Sequence, residues 1–259
     1  MQDFTITKQD GNVISCVREI PDHFDGIVIA VHGFTSSKES STYRRILSRM
    51  PEAGFGAICL DLPGHGTSES LKESLRIPGA LDSIEAVERY ALEMYPGSDI
   101  FYFGSSFGAY LTGLYISTRE HAGRKAFWRS AAVNMPELFH TETPSETELQ
   151  QLEELRTQGY FDVTMEEHRP VRITQAMYDD LLQNDLFERF DPDRFGKHRI
   201  AMAHGTEDAV IAPDAARRFA ERFGIPVTWF EGDGHSLSGD PSTPDKVIDL
   251  AIALYRGES

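Results

Sequence analysis

The 259-residue chain, 40% hydrophobic and 25% charged, has the composition of an ordinary globular protein. It is long enough for one α/β domain with an insertion and for a core that needs neither disulfide nor metal. Its 41 acidic against 25 basic residues, a formal charge of −16, disfavour nucleic acid and anionic membrane surfaces, which both demand a basic footprint. No stretch approaches the roughly 20 apolar residues of a membrane span, so the expected partner is a small molecule, with a homo-oligomer left open.

Met1 to Thr7 alternates like a strand and has neither a basic n-region nor an apolar h-region, so a secretory leader is not indicated. Cys16 and Cys59 are the only cysteines. Cys59 lies in the apolar run Ala57-Ile58-Cys59-Leu60, as a buried reduced thiol would, and a cytoplasmic location is expected. Phe4 to Lys8 and Val13 to Glu19 alternate around Asp10-Gly11-Asn12, which reads as a leading hairpin. Four nearly continuous apolar runs follow, Ile27 to Val31, Gly56 to Leu60, Ile100 to Phe103 and Ala131 to Val133, as parallel strands covered on both faces require. Between them Leu81, Ile84, Val87, Ala91 and Met94 recur at helical spacing before Pro96-Gly97. Strand and helix in alternation predict a doubly wound α/β sheet.

That rhythm breaks from about Asn134 to His198. Ser145 to Glu148 forms a capping-box sequence opening a helix with Leu149, Leu152 and Leu155, ended by Gly159 to Asp162. His168 to Ile173 is held extended by Pro170, and Ala176, Met177, Leu181 and Leu182 predict a further helix. Residues 134–198 thus read as a cap inserted in a core of residues 1–133 and 199–259. Its acidic stretch, Glu142 to Glu167, is a solvated face that would also repel carboxylate-bearing substrates. The core resumes with strands at Ile200 to Ala203 and Pro226 to Phe230, separated by a helix from Pro213 to Phe223 and followed by one from Pro244 to Tyr255.

The chemistry is concentrated at Gly104-Ser105-Ser106-Phe107-Gly108, a G-x-S-x-G sequence between a strand and a helix. The two glycines let the backbones pass closely at a sharp turn and leave the central serine exposed as a nucleophile. A serine hydroxyl needs a base, and the base needs a carboxylate to orient it. His235, in Gly232-Asp233-Gly234-His235-Ser236, and Asp208, in His204-Gly205-Thr206-Glu207-Asp208, each follow a predicted strand, so all three groups fall at carboxyl ends of strands. Ser105 is the rival nucleophile, and Glu207, Asp233 and Asp214 are rival acids. Gly33, in His32-Gly33-Phe34, permits a turn that directs the Phe34 N–H inward, and the Phe107 N–H supplies a second oxyanion donor. His32 and His65 read as turn histidines bonded to backbone. Phe34, Phe107, Tyr160, Phe161, Met177 and Leu181 are candidates for an acyl or aromatic pocket. No short H-x-x-x-H or C-x-x-C spacing is present, so neither metal nor cofactor is expected.

His32-Gly33-Phe34, Asp61 to Ser68, Gly104 to Gly108, His204 to Asp208 and Gly234-His235, in that order, resemble the α/β-hydrolase family over nearly the whole chain apart from residues 134–198. The likeness is greatest to small bacterial carboxylesterases and cinnamoyl (feruloyl) esterases. It implies an α/β-hydrolase fold, a mostly parallel eight-stranded sheet with helices on both faces and a cap between strands six and seven. It further implies a serine carboxylesterase acting on a small-molecule ester through Ser106, His235 and Asp208. Serine at position 106 closes the branch of the family that uses an aspartate nucleophile. Thioester or amide hydrolysis, including a serine-aminopeptidase type, shares the acyl chemistry, and a non-catalytic binding protein on the same fold is the third reading.

Overall fold

The longest uninterrupted apolar runs of the sequence lie at the centre of the sheet. In a computed structural model, which describes residues 1–66, 74–139, 143–164, 170–196 and 199–258, strand β3 (Gly26–Val31) is buried at all six positions. It runs parallel to β4 (Gly56–Leu60) on one side and β5 (Asp99–Ser105) on the other. The hairpin of β1 (Gln2–Thr7) and β2 (Val13–Glu19) joins β4 antiparallel. β6 (Gly123–Arg129), β9 (Ile200–Gly205) and β10 (Val227–Phe230) extend the other side in parallel. The eight strands lie in the order β1-β2-β4-β3-β5-β6-β9-β10.

Alternation along β3 divides the core in two. Val28 and Ala30 face a cluster with Tyr43, Ile46, Leu47 and Met50 of α1 (Ser41–Glu52) and with Val247, Ile248 and Ala251 of α10 (Thr243–Arg256). Ile27, Ile29 and Val31 face α2 (Ile77–Met94), α3 (Phe107–Thr118) and α9 (Pro213–Phe223). No helix among the described residues is long and apolar enough to cross a membrane.

One predicted strand moves. Ala131 to Val133 are buried but lie beyond the sheet, and the strand is Gly123–Arg129. Arg124, Lys125 and Arg129 interrupt its apolar run, yet the cations are accommodated. Arg124 Nε meets Asp99 Oδ1 at 3.0 Å, and Lys125 Nζ donates to the carbonyls of Leu254 and Tyr255 at 2.5 and 3.2 Å. Ala126, Phe127 and Trp128 between them are buried.

Between β6 and β9 the chain forms α4 (Met135–Phe139), α5 (Glu146–Gln158), the antiparallel pair β7 (Tyr160–Val163) and β8 (Val171–Thr174), then α6 (Gln175–Gln183), α7 (Leu186–Arg189) and α8 (Pro192–Phe195). The Ser145–Glu148 capping box opens α5, and Gly159 ends it in the left-handed region. Of the three leucines on α5 only Leu155 is buried, while Leu149 and Leu152 are exposed. Residues 142 and 165–167 of the acidic stretch, and the extended reading of His168 and Arg169, lie outside the described residues.

The segment between β6 and β9 is tied to the start of α2 at Asp180. Its carboxylate accepts from Arg76 Nε at 2.5 Å, from Arg76 Nη2 at 2.8 Å and from the Ile77 backbone N–H at 3.1 Å, joining α6 to the start of α2. Asp180→Ala leaves the buried Ile77 N–H without an acceptor and removes a bidentate ion pair, and should destabilise the protein by about 1–3 kcal/mol. Urea unfolding checks this, and a loss under about 0.5 kcal/mol, the range of ordinary surface changes, would contradict it.

Candidate active site

Ser106 is the joint between β5 and α3, with φ 53° and ψ −116°, a conformation that few non-glycine residues adopt. Its neighbours must lack side chains. A Cβ on Gly104 would stand 2.5 Å from Ala109 Cα, and one on Gly108 would stand 2.0 Å from the Val31 carbonyl oxygen. The turn is pinned by backbone bonds: Ser106 N–H donates to Arg129 O at 2.9 Å, and Ser106 O accepts from Ala132 N–H at 3.2 Å.

The loop after β10 carries His235. It passes so close to the end of β9 that a Cβ on Gly205 would lie 2.2 Å from Asp233 O, and Ser130 Oγ donates to His235 O at 2.8 Å. His235 Nε2 stands 3.0 Å from Ser106 Oγ, and its Nδ1 stands 2.8 Å from Asp208 Oδ2. An ionised carboxylate only accepts, so Nδ1 carries the proton and Nε2 keeps its lone pair for the serine hydroxyl.

Asp208 is buried, and its Oδ1 accepts from the backbone N–H groups of Val210 and Ile211 at 2.9 and 2.8 Å. Burial pushes its carboxyl up. The His235 hydrogen bond and charge, with the Ile211 and Val210 amides, outweigh that and hold it below the usual aspartate value. His204 adds a flank: its Nε2 lies 3.0 Å from Ile211 O and 3.3 Å from Asp208 Oδ2. Among the described residues no group of three or more His, Cys, Asp or Glu side chains is arranged to hold a metal ion.

The rival residues are engaged elsewhere. Ser105 is buried and accepts from Arg129 Nη1 at 2.7 Å. Asp233 accepts from Gly239 N–H at 2.6 Å, Asp214 from Arg218 Nε at 3.1 Å in the first turn of α9, and Glu207 is exposed.

Phe34 and Phe107 flank Ser106, their rings edge to face at 5.7 Å. Phe107 is the first residue of α3, where backbone N–H groups have no intrahelical acceptor, and no acceptor meets the Phe34 N–H among the described residues. A Cβ on Gly33 would press on Ser106 Cβ at 3.3 Å, so glycine lets the Phe34 loop reach Ser106. His32 fixes that loop: Nδ1–H donates to Gly33 O at 2.7 Å while Nε2 accepts from Leu62 N–H at 3.0 Å.

Ser106 and His235 open into a cavity of about 760 Å³. One part of its wall is apolar, from Met135, Leu138 and Phe139 of α4 with Val210 and Ile211, and another carries Ser36, Ser40, Thr42, Arg129 and Ser236. Of the six expected pocket residues only Phe34 and Phe107 line it. Tyr160, Phe161, Met177 and Leu181 do not, which corrects that expectation. Met177 and Leu181, four apart on α6, are fully buried in the core, and Phe161 is buried and borders a separate cavity of about 260 Å³. The Tyr160 ring lies under the Arg172 guanidinium at 3.8 Å. The residues that do line the wall from the insertion, Met135, Leu138 and Phe139, carried a signal in their i, i+3, i+4 apolar spacing directly after the core.

A family model described as "Alpha/beta hydrolase family" matches residues 28–250. None of the curated proteins compared with the chain matches it. Among solved structures, a putative hydrolase from Agrobacterium vitis S4 is similar at 19% identity and a TM-score of 0.78, covering 98% of this chain and 97% of that one. Est1E from Butyrivibrio proteoclasticus, solved with ferulic acid bound, is similar at 17% identity and a TM-score of 0.77, covering 97% and 99%. A monoacylglycerol lipase from Paleococcus ferrophilus is similar at 18% identity and a TM-score of 0.70, covering 100% of both chains.

His65 stands beside the Phe34 loop, 5.1 Å from the His32 ring, with Nδ1–H donating to Pro63 O at 2.8 Å and Nε2 buried without a partner among the described residues. Burial, with repulsion from His32, pushes its imidazole from an ordinary 6.5 down to about 3. The unfolded chain binds a proton as pH falls through 6.5, and the folded chain does not until about 3, so stability is full above 6.5 and is lost across that window. Asp208, held low, adds stability that disappears in the same direction. Lowering the pH from about 7 to about 4.5 should therefore cost roughly 2 kcal/mol through His65. His65→Asn should lose that much less over the same interval in urea unfolding; equal losses would contradict the assignment.

Proposed function

The chain belongs to the alpha/beta hydrolase family, and from that membership, joined to the site geometry, we propose that it is a serine hydrolase cleaving carboxylic esters. The supporting observation is the unbroken relay of 3.0 Å from Ser106 Oγ to His235 Nε2 and 2.8 Å from His235 Nδ1 to Asp208 Oδ2. Geometry and roles, more than motif, define such a triad.

In this mechanism His235 Nε2 takes the Ser106 proton as Oγ attacks the ester carbonyl carbon. The carbonyl π electrons pass to oxygen, and the developing oxyanion is held by the N–H groups of Phe34 and Phe107. Each such donor contributes about 3–4 kcal/mol in a water-poor site. Collapse breaks the bond to the alkoxy oxygen, which takes its proton from the imidazolium. A water then gives a proton to His235, adds to the acyl-enzyme, and a second collapse returns Ser106 as its hydroxyl. Asp208 stays ionised throughout, fixing the tautomer and stabilising the imidazolium. No cofactor takes part.

The apolar wall from α4 suits the acyl or aromatic part of an ester. Ferulic acid bound to Est1E and the monoacylglycerol lipase both accord with an ester substrate in a chain of this fold. Thioesters and amides would pass through the same acyl-enzyme, and leaving-group recognition decides among them.

Ser106→Ala should lower kcat for an activated ester by more than about 10⁴, and Asp208→Asn by about 10³–10⁴ with the fold retained by circular dichroism. Turnover within tenfold of the unaltered protein in either variant would contradict the proposal. In a panel of p-nitrophenyl esters from acetate to long chains, methyl ferulate and an aminoacyl anilide, an ester should give the highest kcat/KM; a preference for the anilide would move the reading to amide hydrolysis.

A further inference from the structure

Among the described residues Arg129 is the one charged side chain in the wall of the active-site cavity outside the relay, and no motif assigns it a role. It ends β6, half-buried, and also borders a small cavity of about 120 Å³ between α1 and α10. Its Nη1 donates to Ser105 Oγ at 2.7 Å and its Nη2 to the Ser236 carbonyl. A guanidinium carries about five N–H donors, and the rest have no acceptor among the described residues.

Among the described residues Arg129 also lacks a counter-ion. Arg76 pairs with Asp180, and Arg49 with Asp245 and Asp249, while the likewise partly buried Arg18 has neutral acceptors in Gln2, Tyr90 and Tyr95. No carboxylate among the described residues lies within salt-bridge distance of Arg129. Burial pulls its pKa down, and the more distant Tyr43, Asp208 and Asp233 only partly oppose that. A guanidinium remains charged all the same, and a desolvated cation without an anion is costly. The cavity wall that Arg129 shares also carries the hydroxyl groups of Ser36, Ser40 and Thr42.

We propose that this hydroxyl-lined arm holds a free carboxylate of the substrate against the Arg129 guanidinium, making the preferred ester one that carries a monoanionic carboxylate beside the scissile bond. The inference rests on the reading of Ser106 as the nucleophile of ester hydrolysis. One guanidinium matches the single negative charge of a carboxylate, whereas a dianion such as a phosphate monoester would leave a second charge unpaired. The acidic face of α5 does not oppose the carboxylate at contact range, because exposed charges are screened beyond about 8 Å at physiological salt.

The test compares esters that differ only in a terminal carboxylate or carboxamide, placed on the acyl side in one pair and on the alcohol side in the other. The unaltered protein should favour the carboxylate by tenfold or more in kcat/KM in at least one pair. That ratio should fall at least tenfold in Arg129→Met and by a smaller factor in Arg129→Lys, which keeps the charge but loses the planar fork. Calorimetry of monomethyl glutarate, a monoanion, with Ser106→Ala provides a readout without turnover: binding is expected, and its loss in Ser106→Ala/Arg129→Met. An unchanged ratio in the Arg129 variants, both esters falling together, would restrict Arg129 to holding the Ser105 and Ser236 loops and overturn the proposal. So would an unaltered protein indifferent to the carboxylate, with no monomethyl glutarate bound by Ser106→Ala. Monomethyl glutarate binding that depends on Arg129 in a protein that cleaves no ester would support the carboxylate site while defeating the esterase reading.

Discussion

A single backbone constraint organises this molecule: residue 106 must hold φ near 53° where β5 becomes α3. The conformation costs about 1–3 kcal/mol and persists only where surroundings over-determine it. They do so from three sides. The absent side chain of Gly104 lets Ala109 of α3 lie against β5, and that of Gly108 lets α3 lie against the end of β3. The Arg129 carbonyl takes the Ser106 N–H, and the Ala132 N–H takes the Ser106 carbonyl. The strain therefore sits in a position that sheet, helix and the chain after β6 all fix.

The same short stretch after β6 ties the serine turn to the histidine loop. Arg129 reaches Ser105 and Ser236, and Ser130 Oγ reaches the His235 carbonyl. The spacing of Ser106 and His235 is thus set by one dipeptide and not by two loops moving independently. Behind His235, the charge of Asp208 is maintained in a buried place by two backbone N–H groups and by the imidazole itself. The arrangement is a chain of fixed dipoles, the kind of preorganisation that needs no rearrangement when charge develops.

What was legible in the sequence was whatever depends on local pattern. Ile27 to Val31 and Gly56 to Leu60 read directly as strands buried on both faces, Ser145 to Glu148 read directly as a capping box, and the family resemblance followed from short motifs in a fixed order. The meeting of Ser106, Asp208 and His235 at one sheet edge was readable because each follows the carboxyl end of a strand. What was not legible depends on which way a side chain faces after packing. Arg124, Lys125 and Arg129 disguised β6, because backbone carbonyls and an aspartate from distant positions accommodate two of them. Met177 and Leu181 have the same apolar character as Met135 and Leu138, and only the seating of α6 on α2 and α4 on the cavity separates core from wall. Arg129 belongs to no motif, and its place between Ser105 and Ser236, with no carboxylate beside it among the described residues, is set only by packing.

The central claim is that Ser106 is the nucleophile and that its activation comes from His235. Mass spectrometry of the intact protein after treatment with a fluorophosphonate, followed by peptide mapping, tests it most directly. The account predicts a single adduct, located on Ser106, whose rate of formation falls sharply when His235 is replaced by alanine. An adduct on Ser105, or one on Ser106 forming as fast without His235, would contradict it.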